Sequence, residues 1–165
     1  MELDIQRCKH LDIGFAIKLV RGAYINEERE YAEKLGRESP CWENIEDTHR
    51  MYDSNVQYIM ENLDMKSVFC VASHNVASIE KALALKQELA VPQESLVFAQ
   101  LQGMSDHVSV GLAKLGHFTL KYRPFGPYEE LIPYLQRRAQ EAQQVSRELE
   151  FQKHFIFSEL SRRLV

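Results

Sequence analysis

Four short apolar runs, each ending in a polar or glycine-bearing turn, alternate with longer amphipathic stretches along the chain. The runs are FAIKLV at 15–20, VFCVA at 68–72, LVFA at 96–99 and FTLKY at 118–122. Their length and apolar content suit strands buried on both faces. Helical stretches follow over 45–63, 76–89, 108–115, 128–150 and 151–164. Pro92 and Gly116 stand where the second and third of these stop. Pro133 lies early in the fourth, where it predicts a kink or a later start. Strand and helix in alternation predict a parallel α/β sheet.

The turns discriminate between the parallel folds. RGAY at 21–24, SHN at 73–75, QLQG at 100–103 and Arg123-Pro124 all follow strands, so they gather at one end of the sheet. A (β/α)8 barrel builds its site at that C-terminal end. A doubly wound sheet concentrates its site at a switch point, usually with a GxGxxG loop, and this sequence has none. Four strands are half of a barrel, and 165 residues fall short of the roughly 250 that a barrel takes. The expected fold is α/β: half of a (β/α)8 TIM-like barrel, about four parallel strands with flanking helices. Such a half leaves two open strand edges and an uncovered apolar face.

Composition removes several function classes. The net charge of −4 and the lack of a polybasic run argue against nucleic acid as a partner. Cys8, Cys41 and Cys70 form no CxxC, and the six histidines form no HExxH, so no metal site is expected. No apolar run reaches transmembrane length, and no targeting segment is visible at the N-terminus.

Five constellations could carry chemistry. Tyr134, Arg137, Arg138 and Glu141 share one face of a helix, at offsets of +3, +4 and +7. Two guanidiniums side by side offer forked donors to a carboxylate, and Glu141 can orient one of them. A solvated helix face with ion pairs explains the same residues. Lys18, Val20, Arg21, Gly22, Ala23 and Tyr24 carry a strand into a turn where backbone can approach a ligand, or make a plain strand-to-loop transition. Ser73, His74 and Asn75 follow the next strand, and Ser73 or Asn75 also suits a helix cap. Gln100 and Leu101 precede Gly103 in a βα loop. Tyr122 ends the last strand, at the barrel mouth or in the core.

Read in order, KLVRGAY at 18–24, VASHN at 71–75, AQLQGM at 99–104 and KYRPFGPYEELIPYLQRRAQE at 121–141 resemble the proline dehydrogenase family, most closely its animal mitochondrial enzymes. The resemblance implies the C-terminal half of a distorted (β/α)8 catalytic barrel that binds FAD. It implies oxidation of L-proline to Δ1-pyrroline-5-carboxylate, with electrons passed to a quinone. It also implies a mitochondrial setting and peripheral association with the inner membrane. Arg137 and Arg138 would clamp the proline carboxylate with support from Glu141. Tyr122, Tyr134, Tyr24 and Leu101 would wall the ring against the flavin. Lys18, Val20, Arg21, Gly22 and Ala23 would line the cofactor, and Ser73, His74, Asn75 and Gln100 would contact it. No catalytic base is assigned.

Related hydroxyproline dehydrogenases tend to carry a smaller residue, such as serine, at the position of Tyr122, so tyrosine favours proline. The expected organisation is one partial catalytic domain, a half-barrel over about 15–144 and a C-terminal helix over about 145–165. Three alternatives stay open: hydroxyproline dehydrogenase, a catalytically inactive or truncated relative that binds a partner or oligomerises, and a non-flavin barrel enzyme acting on a carboxylate.

Overall fold

Alternation along each strand decides which side of the sheet is covered. The computed structural model describes the backbone of residues 1–144 and 146–164, and the side chains of residues 1–139, 153, 154 and 156–164. Its strands are β1 (Ala16–Val20), β2 (Val68–Ala72), β3 (Leu96–Leu101) and β4 (Phe118–Tyr122), all parallel in the order β1-β2-β3-β4. The helices are α1 (Glu2–His10), α2 (Ile25–Lys34), α3 (Ile45–Glu61), α4 (Val76–Glu88), α5 (Asp106–Lys114), α6 (Tyr128–Gln144) and α7 (Ser146–Leu164).

One sheet face is dry. Phe69, Val71, Leu96 and Phe98 are almost fully buried there. They share a core with Val56 and Ile59 of α3, Ile79 and Ala82 of α4, Leu112 of α5 and Ile5 of α1. In α3, Tyr52, Val56, Ile59 and Met60 recur at helical spacing, which turns one stripe inward. Burial of a side chain such as Phe98 stabilises by about 1.5–3 kcal/mol.

The other face carries Lys18 and Val20, Cys70 and Ala72, Val97, Ala99 and Leu101, and Phe118, Leu120 and Tyr122, in register across the four strands. Val20, Phe118, Leu120 and Tyr122 are about half exposed. In a closed barrel this face is the interior. Among the described residues β1 and β4 are the sheet edges, and the inner apolar face stands exposed.

Gly14 fixes the entry to β1. A Cβ there would meet the Lys66 carbonyl oxygen at 2.1 Å, so the approach requires hydrogen. Beside it, the Phe15 N–H donates to Ser67 Oγ and the Val68 N–H to the Phe15 oxygen.

Some boundaries differ from expectation. α1 and α2 carry one buried residue each, Ile5 and Ala32, so neither presents an apolar stripe in the sequence. β3 continues through Leu101 because Gln100 is buried with both amide ends bonded: Nε2 donates to the Ser73 oxygen and Oε1 accepts from Ser109 Oγ. α6 begins at Tyr128 despite Pro133, and α7 spans Ser146–Leu164, so the helical stretch expected over 128–150 is α6 and the start of α7. Among the described residues, no helix is long and apolar enough to cross a membrane.

Candidate functional site

The C-terminal ends of all four strands open on one cavity of about 340 Å³. β1 supplies Lys18 and Val20, and the following turn supplies Arg21, Gly22, Ala23 and Tyr24. β2 and its loop supply Ala72, Ser73 and His74; β3 supplies Ala99, Gln100 and Leu101. Tyr122 of β4, with Tyr134 and Arg138 of α6, closes the far side. Parallel strands of matched register bring these distant residues to one end.

The far wall is aromatic and cationic. Tyr122 and Tyr134 meet edge to face at 6.1 Å between centroids. The Arg138 guanidinium carbon lies 5.1 Å from the Tyr134 ring centroid, and Lys18 Nζ lies 5.7 Å from that of Tyr122. Two cations against two electron-rich rings favour a ligand with an anionic group and a compact apolar body.

The adjacent arginines diverge. Successive residues on a helix point about 100° apart, as 3.6 residues per turn requires. Arg138 faces the cavity, whereas Arg137 is outside its lining and places Nε 3.6 Å from Glu27 Oε1 on α2. Both members of that pair are about half exposed, so the pair contributes at most about 1 kcal/mol. The Glu141 side chain lies outside the described residues.

The β2 loop is a hydrogen-bonded frame. Asn75 Oδ1 accepts from the Ser78 N–H at 2.9 Å and caps α4, and Asn75 is outside the cavity lining. Ser73 Oγ accepts from the Asn75 N–H. The Leu101 N–H donates to His74 Nε2 at 3.4 Å, and His74 Nδ1 lies 3.3 Å from Ser105 Oγ. Lys121, which was given no role from the sequence, donates from Nζ to the Met104 oxygen at 2.6 Å and pairs with Asp106 at 2.7 Å. It ties the β3 loop to β4.

Two non-glycine residues at the cavity end adopt left-handed backbone: Tyr24 (φ 60°), the N-cap of α2, and Ser105 (φ 50°), the N-cap of α5. Such conformations cost of order 1–3 kcal/mol and concentrate at functional sites. Burial pushes the Cys70 thiol up, against the pull of the Lys18 ammonium beside it. Burial likewise raises the phenol of Tyr52, whose hydroxyl reaches the Leu19 oxygen behind β1.

The sequence motifs include Ala72, Ala99 and Lys121 without giving them a role, and Glu27 lies outside every motif. Ala72 and Ala99 line the cavity because they share the inner face in register. Period-two alternation from Cys70 and Val97 was the available signal. Glu27 and Lys121 act through contacts distant in sequence, which local pattern does not encode.

Known proteins bear on this geometry. Hydroxyproline dehydrogenase of Bos taurus is 38% identical over 166 residues, covering 98% of this chain and 36% of that protein. Mitochondrial proline dehydrogenase 1 of Caenorhabditis elegans is also 38% identical, over 170 residues, covering 99% of this chain and 28% of that protein. The chain thus spans about a third of the length of these curated relatives. Among solved structures, proline utilization A of Bdellovibrio bacteriovorus, inactivated by N-propargylglycine, superposes with a TM-score of 0.77 at 27% identity, covering 83% of this chain and 14% of that one. Its barrel fold identifies the four strands as the C-terminal half of a (β/α)8 barrel. The family profile described as proline dehydrogenase matches residues 1–150, nearly the whole half-barrel and its cavity, and on that match the chain belongs to the proline dehydrogenase family.

Proposed function

We propose that this chain carries the C-terminal half of the substrate and cofactor site of an FAD-dependent proline dehydrogenase. The reaction is the oxidation of L-proline to Δ1-pyrroline-5-carboxylate, with a quinone as electron acceptor. The observation that carries this reading is the cavity wall of Tyr122, Tyr134 and Arg138 at the C-terminal end of β4. Proline is a small apolar ring bearing a carboxylate, and this wall offers a counterpart to each part.

Arg138 binds the carboxylate through forked N–H donors. Arg137, beside it and paired with Glu27, adds a second guanidinium to the clamp. Tyr122, Tyr134, Tyr24 and Leu101 hold the ring in one orientation and exclude water, which lowers the entropic part of the barrier.

The residues present fit a flavin nucleotide in kind. Lys18 and Arg21 suit its anionic parts, and a Cβ at Gly22 would meet only Ile25 Cδ1, at 3.5 Å, so the backbone there is open to approach. A bound flavin would supply the acceptor for the hydride that leaves the carbon next to the ring nitrogen. Lys18, Val20, Arg21, Gly22 and Ala23 would line it, with contacts from Ser73, His74 and Gln100. Asn75 would act through the fold, as the cap of α4.

Location in the mitochondrion, with peripheral attachment at the inner membrane, is the matching cellular reading. Its support is that the relatives of C. elegans, Drosophila melanogaster, Arabidopsis thaliana and Homo sapiens are named mitochondrial.

Hydroxyproline is the second reading, favoured by the bovine relative, which matches the nematode proline enzyme in identity. Tyr122 argues for proline, because its ring stands on the cavity wall where a 4-hydroxyl needs space. The test is expression of the chain, an absorbance scan for bound flavin, and the rate of flavin bleaching by proline and by trans-4-hydroxyproline. Because the chain carries half of the site and spans about a third of its relatives, the expected result is flavin uptake with slow bleaching, faster with proline than with trans-4-hydroxyproline. A colourless protein that takes up no flavin refutes the reading, and faster bleaching by hydroxyproline reverses the substrate.

A further inference from the structure

The cavity cation Arg21 is held from behind by a hydrogen-bonded chain that crosses three elements. Arg21 Nη1 donates to Ser78 Oγ of α4 at 3.4 Å, and Ser78 Oγ donates to Asp53 Oδ1 of α3 at 2.8 Å. Lys81 Nζ stands 3.6 Å from the other Asp53 oxygen. Ser78 is 3% exposed, and its own N–H is fixed by Asn75 Oδ1.

A hydroxyl has one proton and two lone pairs. The Asp53 carboxylate accepts the hydrogen bond from that O–H, so the oxygen's lone pairs are left to the guanidinium. The nearby anion also polarises the hydroxyl and makes it a stronger acceptor. A long, flexible arginine at a strand end would otherwise sample many rotamers, each diluting its hold on a ligand.

We propose that Ser78 is a positioning residue for Arg21, its hydroxyl directed by Asp53, and that this chain aims the guanidinium at a phosphate group of the bound nucleotide. The inference rests on the flavin reading above. It separates Arg21, which touches the ligand, from Ser78, which acts only through Arg21.

The experiment titrates the full chain with FAD and with riboflavin, which has no phosphate. It compares the unmodified protein with Arg21→Ala, Ser78→Ala, Ser78→Thr and the Arg21→Ala/Ser78→Ala double variant, with thermal melting as the folding control. Ser78→Ala is expected to weaken FAD about threefold to tenfold, the range one hydrogen bond supports, and to leave riboflavin unchanged. Ser78→Thr, which keeps the hydroxyl, should restore FAD affinity. In the Arg21→Ala background, Ser78→Ala should add nothing, because coupled residues are not additive. If Ser78→Ala fails to fold, Ser78→Cys carries the same comparison with the volume retained and the acceptor weakened. Equal losses for both ligands, or additive losses in the double variant, overturn the role of Ser78 alone. An unmodified chain that binds neither ligand overturns the flavin reading and this inference with it.

Discussion

The two faces of the sheet use similar residue types for opposite ends. The outer face presents Phe69, Val71 and Phe98 to helices, and none of the three has measurable exposure. The inner face presents Val20, Phe118, Leu120 and Tyr122, all of them 46% exposed or more. Apolar character therefore does not distinguish core from site in this chain; what packs against it does. The outer face holds the fold, and the inner face, at its C-terminal end, becomes the wall of a cavity.

Truncating one side chain on each face gives the largest expected contrast. Phe98→Ala should lower unfolding free energy by about 3–5 kcal/mol, as large-to-small changes in packed cores do. Leu120→Ala, across the sheet, should stay near about 0.5 kcal/mol. Denaturant midpoints read both, and equal losses would mean that the inner face is covered in solution.

A smaller effect separates the two arginines. Arg138→Ala should raise the proline concentration needed for half-maximal flavin bleaching by about tenfold to a hundredfold, since a charged hydrogen bond contributes about 1.5–3 kcal/mol. Arg137→Ala should raise it less, because Glu27 already engages that guanidinium. A larger effect from Arg137 would show that the clamp forms only after the Glu27 pair breaks.

The smallest effect is a pH dependence from the far end of the sheet. Partial burial, with the Lys86 ammonium 3.1 Å from Nδ1, holds His117 below its ordinary value. The unfolded chain then takes up a proton that the folded chain refuses. Stability should therefore fall as pH drops below about 6.5 and level off beneath the folded-state value. Denaturant midpoints between pH 5 and 8 measure this, and His117→Gln should flatten part of the slope. An unchanged slope would assign the pH dependence to other groups.

Much of this architecture was legible in the sequence because strands buried by neighbours are written as apolar runs. Each run began or ended within a residue of its strand, save at Gln100 and Leu101, where a buried amide network prolongs β3. Helices α1 and α2 were not legible, since helices of mixed polarity with one buried residue leave no periodic stripe. In the candidate site, the motifs after each strand led to the cavity wall. The divergence of Arg137 from Arg138 was hidden, because it depends on where α2 places Glu27. Asn75 was double in meaning, and the structure uses it as a cap.

The left-handed backbone at Tyr24 has an evolutionary consequence. Glycine adopts that conformation without a steric penalty, so selection for robustness alone would replace the tyrosine. A population drifting without demand on the ligand should lose the ring at Tyr24 early, while retaining Phe69 and Phe98. Residue 24 is thus a place where relaxed selection would leave its first trace.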